Sequence, residues 1–329
     1  MIRKPRKPTL ELATLEATAP RFPITHPNYS NFMRDLGMIK SGYKGEQSVD
    51  YYLRNIATSP TSHLYHNLRM YSNLSPFQLD TLLVTPNYLL IMEIKNWGGE
   101  TLEFIGETHQ VKQTFYDGRK EMHDDPILQV KAQRNSLLNW LTINGYPNMT
   151  VEYCVIMANK NPEMIFKRFK ESDRVIRSTY VDFFVVESDA KHLKNKRTTK
   201  EMMSLDEVLL QSHRERQCDV LVKYNLDQNH LISGIICMDC PSPTSLYRAK
   251  RSWACPKCGY QTNNKTLLID ALVDYSYIVS PTITHGGFKD FFHIKESRKA
   301  STLLSNLDLI GEGKGRGRKY FLEYLRNGG

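Results

Sequence analysis

Three acidic residues and one lysine are the side chains of this sequence best suited to chemistry. In Tyr88–Lys95 a nearly continuous apolar run, the mark of a buried strand, ends in Glu93-Ile94-Lys95. Side chains alternate along a strand, so Glu93 and Lys95 share one face while Ile94 points the other way. Asp80 lies on the preceding strand. A connecting loop of two or four residues sets Asp80 directly across from Glu93, at a Cβ separation of about 5 Å, whereas a three-residue loop without a bulge breaks that geometry. Carboxylates this close repel unless a cation sits between them. Glu46 precedes Val49 and Leu53 on one helical stripe, and a carboxylate facing a core has to be paired or metal-bound. Phosphodiester hydrolysis uses this set: a divalent metal to neutralise developing charge, and a group to position the attacking water. The alternative is a solvated salt-bridge cluster on a hairpin, with Glu46 a capping-type acid. The desolvation cost of charges ending a buried strand weighs against it.

A second constellation is Cys237-Met238-Asp239-Cys240 and Cys255-Pro256-Lys257-Cys258, two CxxC knuckles separated by fourteen residues. This spacing suits tetrahedral Zn²⁺ on four thiolates, which closes the coordination sphere and makes the metal structural. A redox dithiol or disulfides are the competing readings, and neither needs two matched knuckles. Cys154 and Cys218 stand alone. A third feature is cationic. Lys295, Arg298 and Lys299 open a helical pattern, and Lys314, Arg316, Arg318 and Lys319 alternate with glycines, which lets backbone and cations approach phosphates closely. A flexible, solvated loop is the bland alternative.

The elements that must position these groups follow from periodicity. Val49, Leu53 and Ile56 recur at helical steps. Leu79–Val84 and Tyr88–Ile94 read as strands joined by Thr85-Pro86-Asn87. Weaker strands at Leu102–Ile105 and Val111–Phe115 precede a helix opened by Asp125-Pro126 and running to about Leu141. Val151–Met157 and Phe183–Val186 read as buried strands, and Leu205–Gln211 as a closing helix. The order predicts a mixed α/β core. We expect a loosely packed arm over 1–28, the core over 29–228, a four-cysteine zinc ribbon over 229–266, and a DNA-binding region over 267–329. In that last region helix, turn, helix and glycine-rich hairpin resemble a winged helix-turn-helix.

The segments Gly45-Glu46, Leu79-Asp80, Met92-Glu93-Ile94-Lys95-Asn96-Trp97-Gly98-Gly99 and Asp125-Pro126-Ile127-Leu128-Gln129 occur in an order that resembles the nuclease-related domain known as NERD, a branch of the PD-(D/E)xK nucleases. The resemblance covers about residues 38–160. It implies a central mixed sheet flanked by helices, Mg²⁺ held by Glu46, Asp80 and Glu93, Lys95 orienting the water, Gln129 as an additional active-site residue, and products with 5′-phosphate ends. Leu79 stands where such enzymes often carry proline. Gln133, one turn beyond Gln129, fits a polar helix face.

With 40% apolar and 24% charged residues, wholesale disorder is excluded, and a net charge of +9 fits a polyanionic partner. No stretch approaches the ~18 apolar residues of a membrane span. Met1–Pro23 lacks the apolar segment of a secretory signal, so we expect a cytoplasmic protein whose cysteines are thiols or metal ligands. The expected activity is Mg²⁺- or Mn²⁺-dependent hydrolysis of DNA, with the Ile94 carbonyl as a further metal ligand and a role in defence against invading DNA or in repair. A non-catalytic DNA-binding regulator or adaptor and an RNA nuclease stay open, as does a homo-oligomeric state. The regulator predicts at least one broken catalytic position, and all four are intact here.

Overall fold

The computed structural model describes residues 1–73, 75–193 and 197–327. In chain order its first elements are β1 (Ile2–Lys4), α1 (Leu10–Thr18), α2 (Tyr29–Asp50), α3 (Arg54–Thr58), β2 (His63–Ser72), β3 (Ser75–Val84) and β4 (Leu89–Lys95). Then come β5 (Thr101–Ile105), β6 (Gln110–Thr114), β7 (Lys120–Asp124), α4 (Pro126–Ile143), β8 (Val151–Met157), β9 (Glu163–Lys167), β10 (Val175–Arg177), α5 (Val181–Lys191), α6 (Thr199–Ser212) and α7 (Val220–Lys223). The last are β11 (Tyr247–Arg248), β12 (Trp253–Ala254), β13 (Gln261–Thr262), α8 (Lys265–Ile278), β14 (Thr282–Thr284), α9 (His285–Phe291), α10 (Ser297–Ser305), β15 (Gly311–Glu312) and β16 (Lys319–Phe321). Packing divides the chain into two units, residues 1–9 with 39–216 and residues 10–38 with 217–329.

The first unit is built on a mixed sheet in the order β1-β2-β3-β4-β8-β10. The β2–β3 and β3–β4 pairs are antiparallel, while β4–β8, β8–β10 and β1–β2 are parallel. Thr85–Tyr88 closes the β3–β4 hairpin, with the Thr85 hydroxyl accepting from the N–H groups of Asn87 (3.2 Å) and Tyr88 (3.0 Å). Tyr88, read from sequence as the first strand residue, belongs to the loop, and the resulting four-residue connection selects the register with Leu83 opposite Leu90 and Thr81 opposite Met92 out of the two left open. β4 is covered on both faces. Leu89 and Ile91 pack with Val130 and Leu137 of α4, and Leu90, Met92 and Ile94 pack with Val49 of α2, Leu53 and Phe184. Two-sided burial is why its sequence reads as an unbroken apolar run.

The strands expected at 102–105 and 111–115 are β5 and β6, but they belong to a separate sheet of order β7-β6-β5-β9. Phe183–Val186, read as a strand, lies inside helix α5. Phe184 and Val185 are buried while Phe183 and Val186 face solvent, the pattern of one helical face and not of strand alternation. A four-residue apolar run does not distinguish the two. Residues 1–28 are also not loosely packed. β1 joins the sheet edge, and Leu12, Leu15 and Phe22 are buried.

In the second unit Phe22 packs against Phe32 (4.5 Å between centroids), and Phe32 against Tyr224 (5.1 Å). Strands β11-β12-β13 form a small antiparallel sheet. Beyond it, α8, β14, α9 and α10 are followed by β15 and β16, which complete a sheet of order β14-β16-β15. This is the arrangement of a winged helix. Cys237, Trp253 and Cys255 share one apolar cluster with Leu272, Phe288, Leu304 and Leu322, so the cysteine segment and the winged segment have a common core. Among the described residues no helix is long and apolar enough to cross a membrane.

Candidate active site

The hydrogen-bond ladder of the central sheet breaks at Asp80 on both sides. Toward β4 it runs from Val84–Leu89 to Thr81–Met92 and stops. Toward β2 it passes from His66–Thr81 to Leu68–Leu79, skipping Asn67 and Asp80. Asn67 sits at φ +50°, a conformation asparagine tolerates better than most residues, and this turns it out of the ladder. In the gap the Asp80 carboxylate accepts the Ile94 N–H at 2.9 Å, in place of a backbone carbonyl. Burial raises the Asp80 carboxyl well above its ordinary range, and the charges of Glu93 and Glu46 add to the rise.

Glu93, 2% exposed, is held by three donors. Its Oε1 accepts from Lys95 Nζ and Gln129 Nε2, each at 2.7 Å, and its Oε2 accepts from Gln133 Nε2 at 2.8 Å. Lys95 Nζ also donates to Gln129 Oε1 at 2.8 Å. Helix α4 delivers both amides one turn apart, and its start is fixed by Asp125, whose side chain accepts the Ile127 N–H at 2.9 Å. Gln133, read from sequence as part of a polar face, is buried against Glu93. Its spacing from Gln129 was visible, but which face of α4 meets the sheet was not.

The residues after Lys95 explain why glycines flank the site. A Cβ on Gly45 would lie 2.3 Å from Asn96 Cβ, so only glycine lets α2 approach the end of β4 this closely. Asn96 Nδ2 donates to Ser41 O at 2.8 Å and ties the two together. Trp97 stacks on His123 (4.6 Å) with Lys95 Nζ 5.9 Å from the Trp97 ring. Gly99, at φ +99°, passes the Thr114 carbonyl where a Cβ would come within 2.6 Å.

Glu46, next to Gly45, is part-buried, and burial raises its carboxyl above the ordinary value while the Arg6 guanidinium opposes the rise. Arg6 donates to Glu46 Oε2. Asn67 lies close enough to influence Glu46, yet its amide N and O make no well-formed hydrogen bond among the described residues. Neither Arg6 nor Asn67 was found from sequence. The one available sign was an asparagine inside a strand-forming run, His63–Ser72.

The sequence-predicted residues thus meet around the gap between β3 and β4. Residues 41–158 match the family model of a nuclease-related domain, NERD. No curated protein and no solved structure matches the chain. The NERD region contains Glu46, Asp80, Glu93, Lys95 and Gln129, whereas Arg6 lies outside it. The groups whose charges act on one another at the gap are the carboxylates of Glu46, Asp80 and Glu93, and such oxygen ligands fit a hard divalent cation. The carboxylates are not drawn into one tight shell: Glu46 is held by Arg6, and Glu93 by Lys95, Gln129 and Gln133.

The tight shell is the cysteine one. Among the described residues, Cys237, Cys240, Cys255 and Cys258 form the group whose ligand atoms all lie within 4.8 Å of one another. Four thiols at this spacing fit Zn²⁺. Backbone N–H groups of Cys258 and Lys257 lower the Cys255 thiol to about 6, whereas burial raises the Cys237 thiol and pushes that of Cys240 up to about 12.

The basic residues of the tail are at the surface. Lys295 precedes α10, Arg298 and Lys299 lie in its first turn, and Lys314, Arg318 and Lys319 are exposed on the wing. Lys299 pairs with Glu296 (2.7 Å), and Arg318 lies over Tyr320 (5.2 Å). The side chain of Arg316 lies outside the described residues.

Proposed function

We propose that this protein is a divalent-metal-dependent nuclease that hydrolyses phosphodiester bonds in DNA. The observation that carries this reading is the break in the sheet at Asp80 of β3, beside which lie Glu46 of α2 and Glu93 and Lys95 of β4. Glu46, Asp80 and Glu93, with the Ile94 carbonyl, would hold Mg²⁺ or Mn²⁺, which supplies charge neutralisation at the phosphate. Lys95, fixed between Glu93 and Gln129, presents an ammonium group that orients the water and steadies charge in the transition state. Gln129 and Gln133 hold the Glu93 carboxylate in one rotamer. An open polar groove of about 430 Å³, lined by Lys44, Tyr51, Tyr52, Asn96, Asn159 and Lys160, borders Gly45 and suits a phosphate backbone. Zinc on the four cysteines would secure the second unit, whose wing and α10 would contact phosphates.

The test is incubation of the purified protein with plasmid, DNA oligonucleotides and RNA in Mg²⁺, Mn²⁺ or EDTA, beside Asp80→Ala and Lys95→Ala. Cleavage by the wild type alone, abolished by EDTA, is the expected result. DNA binding without cleavage by every version assigns a non-catalytic DNA-binding role instead, and cleavage restricted to RNA changes the substrate.

A further inference from the structure

The carboxylate site contains a cation that comes from the far end of the chain. Arg6 follows β1 and is 3% exposed. Its Nε donates to both oxygens of Asp50 (3.1 and 3.0 Å), and its Nη2 to Asp50 Oδ1 (3.0 Å) and Thr81 Oγ1 (2.9 Å), with His66 Nδ1 also at 2.9 Å. Its Nη1 donates to Glu46 Oε2 and reaches the Asp80 carbonyl at 3.5 Å. These partners belong to α2, β2 and β3, so one planar guanidinium cross-links the elements that carry two of the three site carboxylates. The approach is set by β1, which pairs Ile2 with Leu64 and Lys4 with Tyr65. Arg3 is bound by Asp206, and Lys4 Nζ donates to His66 O at 2.9 Å. The basic cluster at the start of the chain, which in sequence resembles a loosely packed arm, sends Lys4 and Arg6 inward and pairs the more exposed Arg3 with Asp206.

Building on the nuclease reading above, we infer that Arg6 is a positioning residue of the metal site: by holding Glu46 Oε2 it presets that carboxylate beside Asp80 and Glu93 for a divalent cation. A simple structural ion pair needs only Asp50, which already meets the guanidinium in a bidentate fork. The additional bonds to Glu46 and toward the Asp80 carbonyl point at the site itself. Arg6 has two opposed effects on a metal. Its charge repels the ion, while its hydrogen bonds fix a ligand, and outer partners of metal ligands typically change affinity by about 10–100-fold. Positioning is the larger effect here because Asp50, meeting the guanidinium through both of its oxygens, offsets much of the charge that would repel the ion, while the bond to Glu46 still fixes the ligand.

Two variants of the full-length, zinc-replete protein separate these effects. Arg6→Gln removes the charge and the fork. Arg6→Lys keeps the charge and loses the fork. Mn²⁺ binding is read from free-ion EPR without DNA, with Asp80→Asn used to subtract sites that do not depend on the carboxylates. The expected result is a Kd raised about 10–100-fold in Arg6→Gln and severalfold in Arg6→Lys, with cooperative unfolding retained. If Arg6→Gln does not fold, Arg6→Lys alone decides. Wild-type or tighter Mn²⁺ affinity in the folded variants overturns the inference and leaves the nuclease reading standing. A wild-type protein with no Asp80-dependent Mn²⁺ site overturns both.

Discussion

Residue by residue, the site depends on groups that the sequence shows as ordinary. Gly45 is the plainest case. Alanine is favoured over glycine in a helix by up to about 1 kcal/mol. Here the new methyl would meet Asn96 Cβ at 2.3 Å, and overpacking of this kind costs about 1–3 kcal/mol. Gly45→Ala should therefore lower stability in urea melts and reduce cleavage together. Gln133→Ala should cost about 1–3 kcal/mol, because it leaves the buried Glu93 Oε2 without its donor. Unchanged stability in this variant would mean that another donor replaces it. His66 gives a pH signature. Burial, with Arg6 alongside, lowers its imidazole to about 4, so the folded protein keeps it neutral while the unfolded chain protonates near the ordinary value of 6.5. The unfolded state then binds more protons between these values. The stability from this group is complete above about pH 6.5 and is lost toward pH 4, by on the order of 3 kcal/mol. Denaturant melts of His66→Asn at pH 7 and 4.5 should show a smaller pH slope than wild type.

Among the elements, the sheet and helix α4 were legible and their pairing partly so. The hairpin β3–β4, the start of α4 at Asp125-Pro126 and strand β8 follow from apolar runs, turn residues and a cap, all local signals. Strand β2, the second sheet and the place of β1 were not, because β-pairing joins segments far apart in sequence and a short polar strand carries no mark of its neighbour. Helix α5 replaced an expected strand for the reason already given, a run too short to show its period. The cysteine segment yields a prediction at this scale. Cys237 and Cys255 lie in the same apolar cluster as Leu272 and Phe288, and Zn²⁺ on four thiolates contributes about 10–16 kcal/mol in isolated peptides. Stripping metal with a strong chelator should release zinc stoichiometrically and lower the melting temperature of the second unit. An unchanged melt with zinc removed would show that the apolar cluster suffices alone.

For the whole molecule, a net charge of +9 and exposed cations on α10 and the wing predict that DNA affinity falls steeply with salt. Replacing Arg298, Arg318 and Lys319 by alanine should weaken DNA binding and flatten its salt dependence by up to about three phosphate contacts. Cleavage at saturating DNA and low salt should persist. Asp80→Ala should do the reverse, with binding kept and cleavage lost. A charge triplet that leaves the salt slope unchanged would place the DNA contacts elsewhere.

The sequence by itself determined the chemical inventory: the acids and lysine at the end of a buried strand, the paired cysteine knuckles and the basic glycine-rich run. These are properties of neighbouring residues, where alternation and spacing act directly. The hairpin register waited on the loop length, which the structure supplied. Tertiary structure alone decided that the sheet opens at Asp80, that Gln133 faces Glu93, and that Asn67 and Arg6 join the site. Each of these depends on contacts between segments distant in the chain, and a buried charge or amide reveals its partner only when folding has removed the water that would otherwise satisfy it.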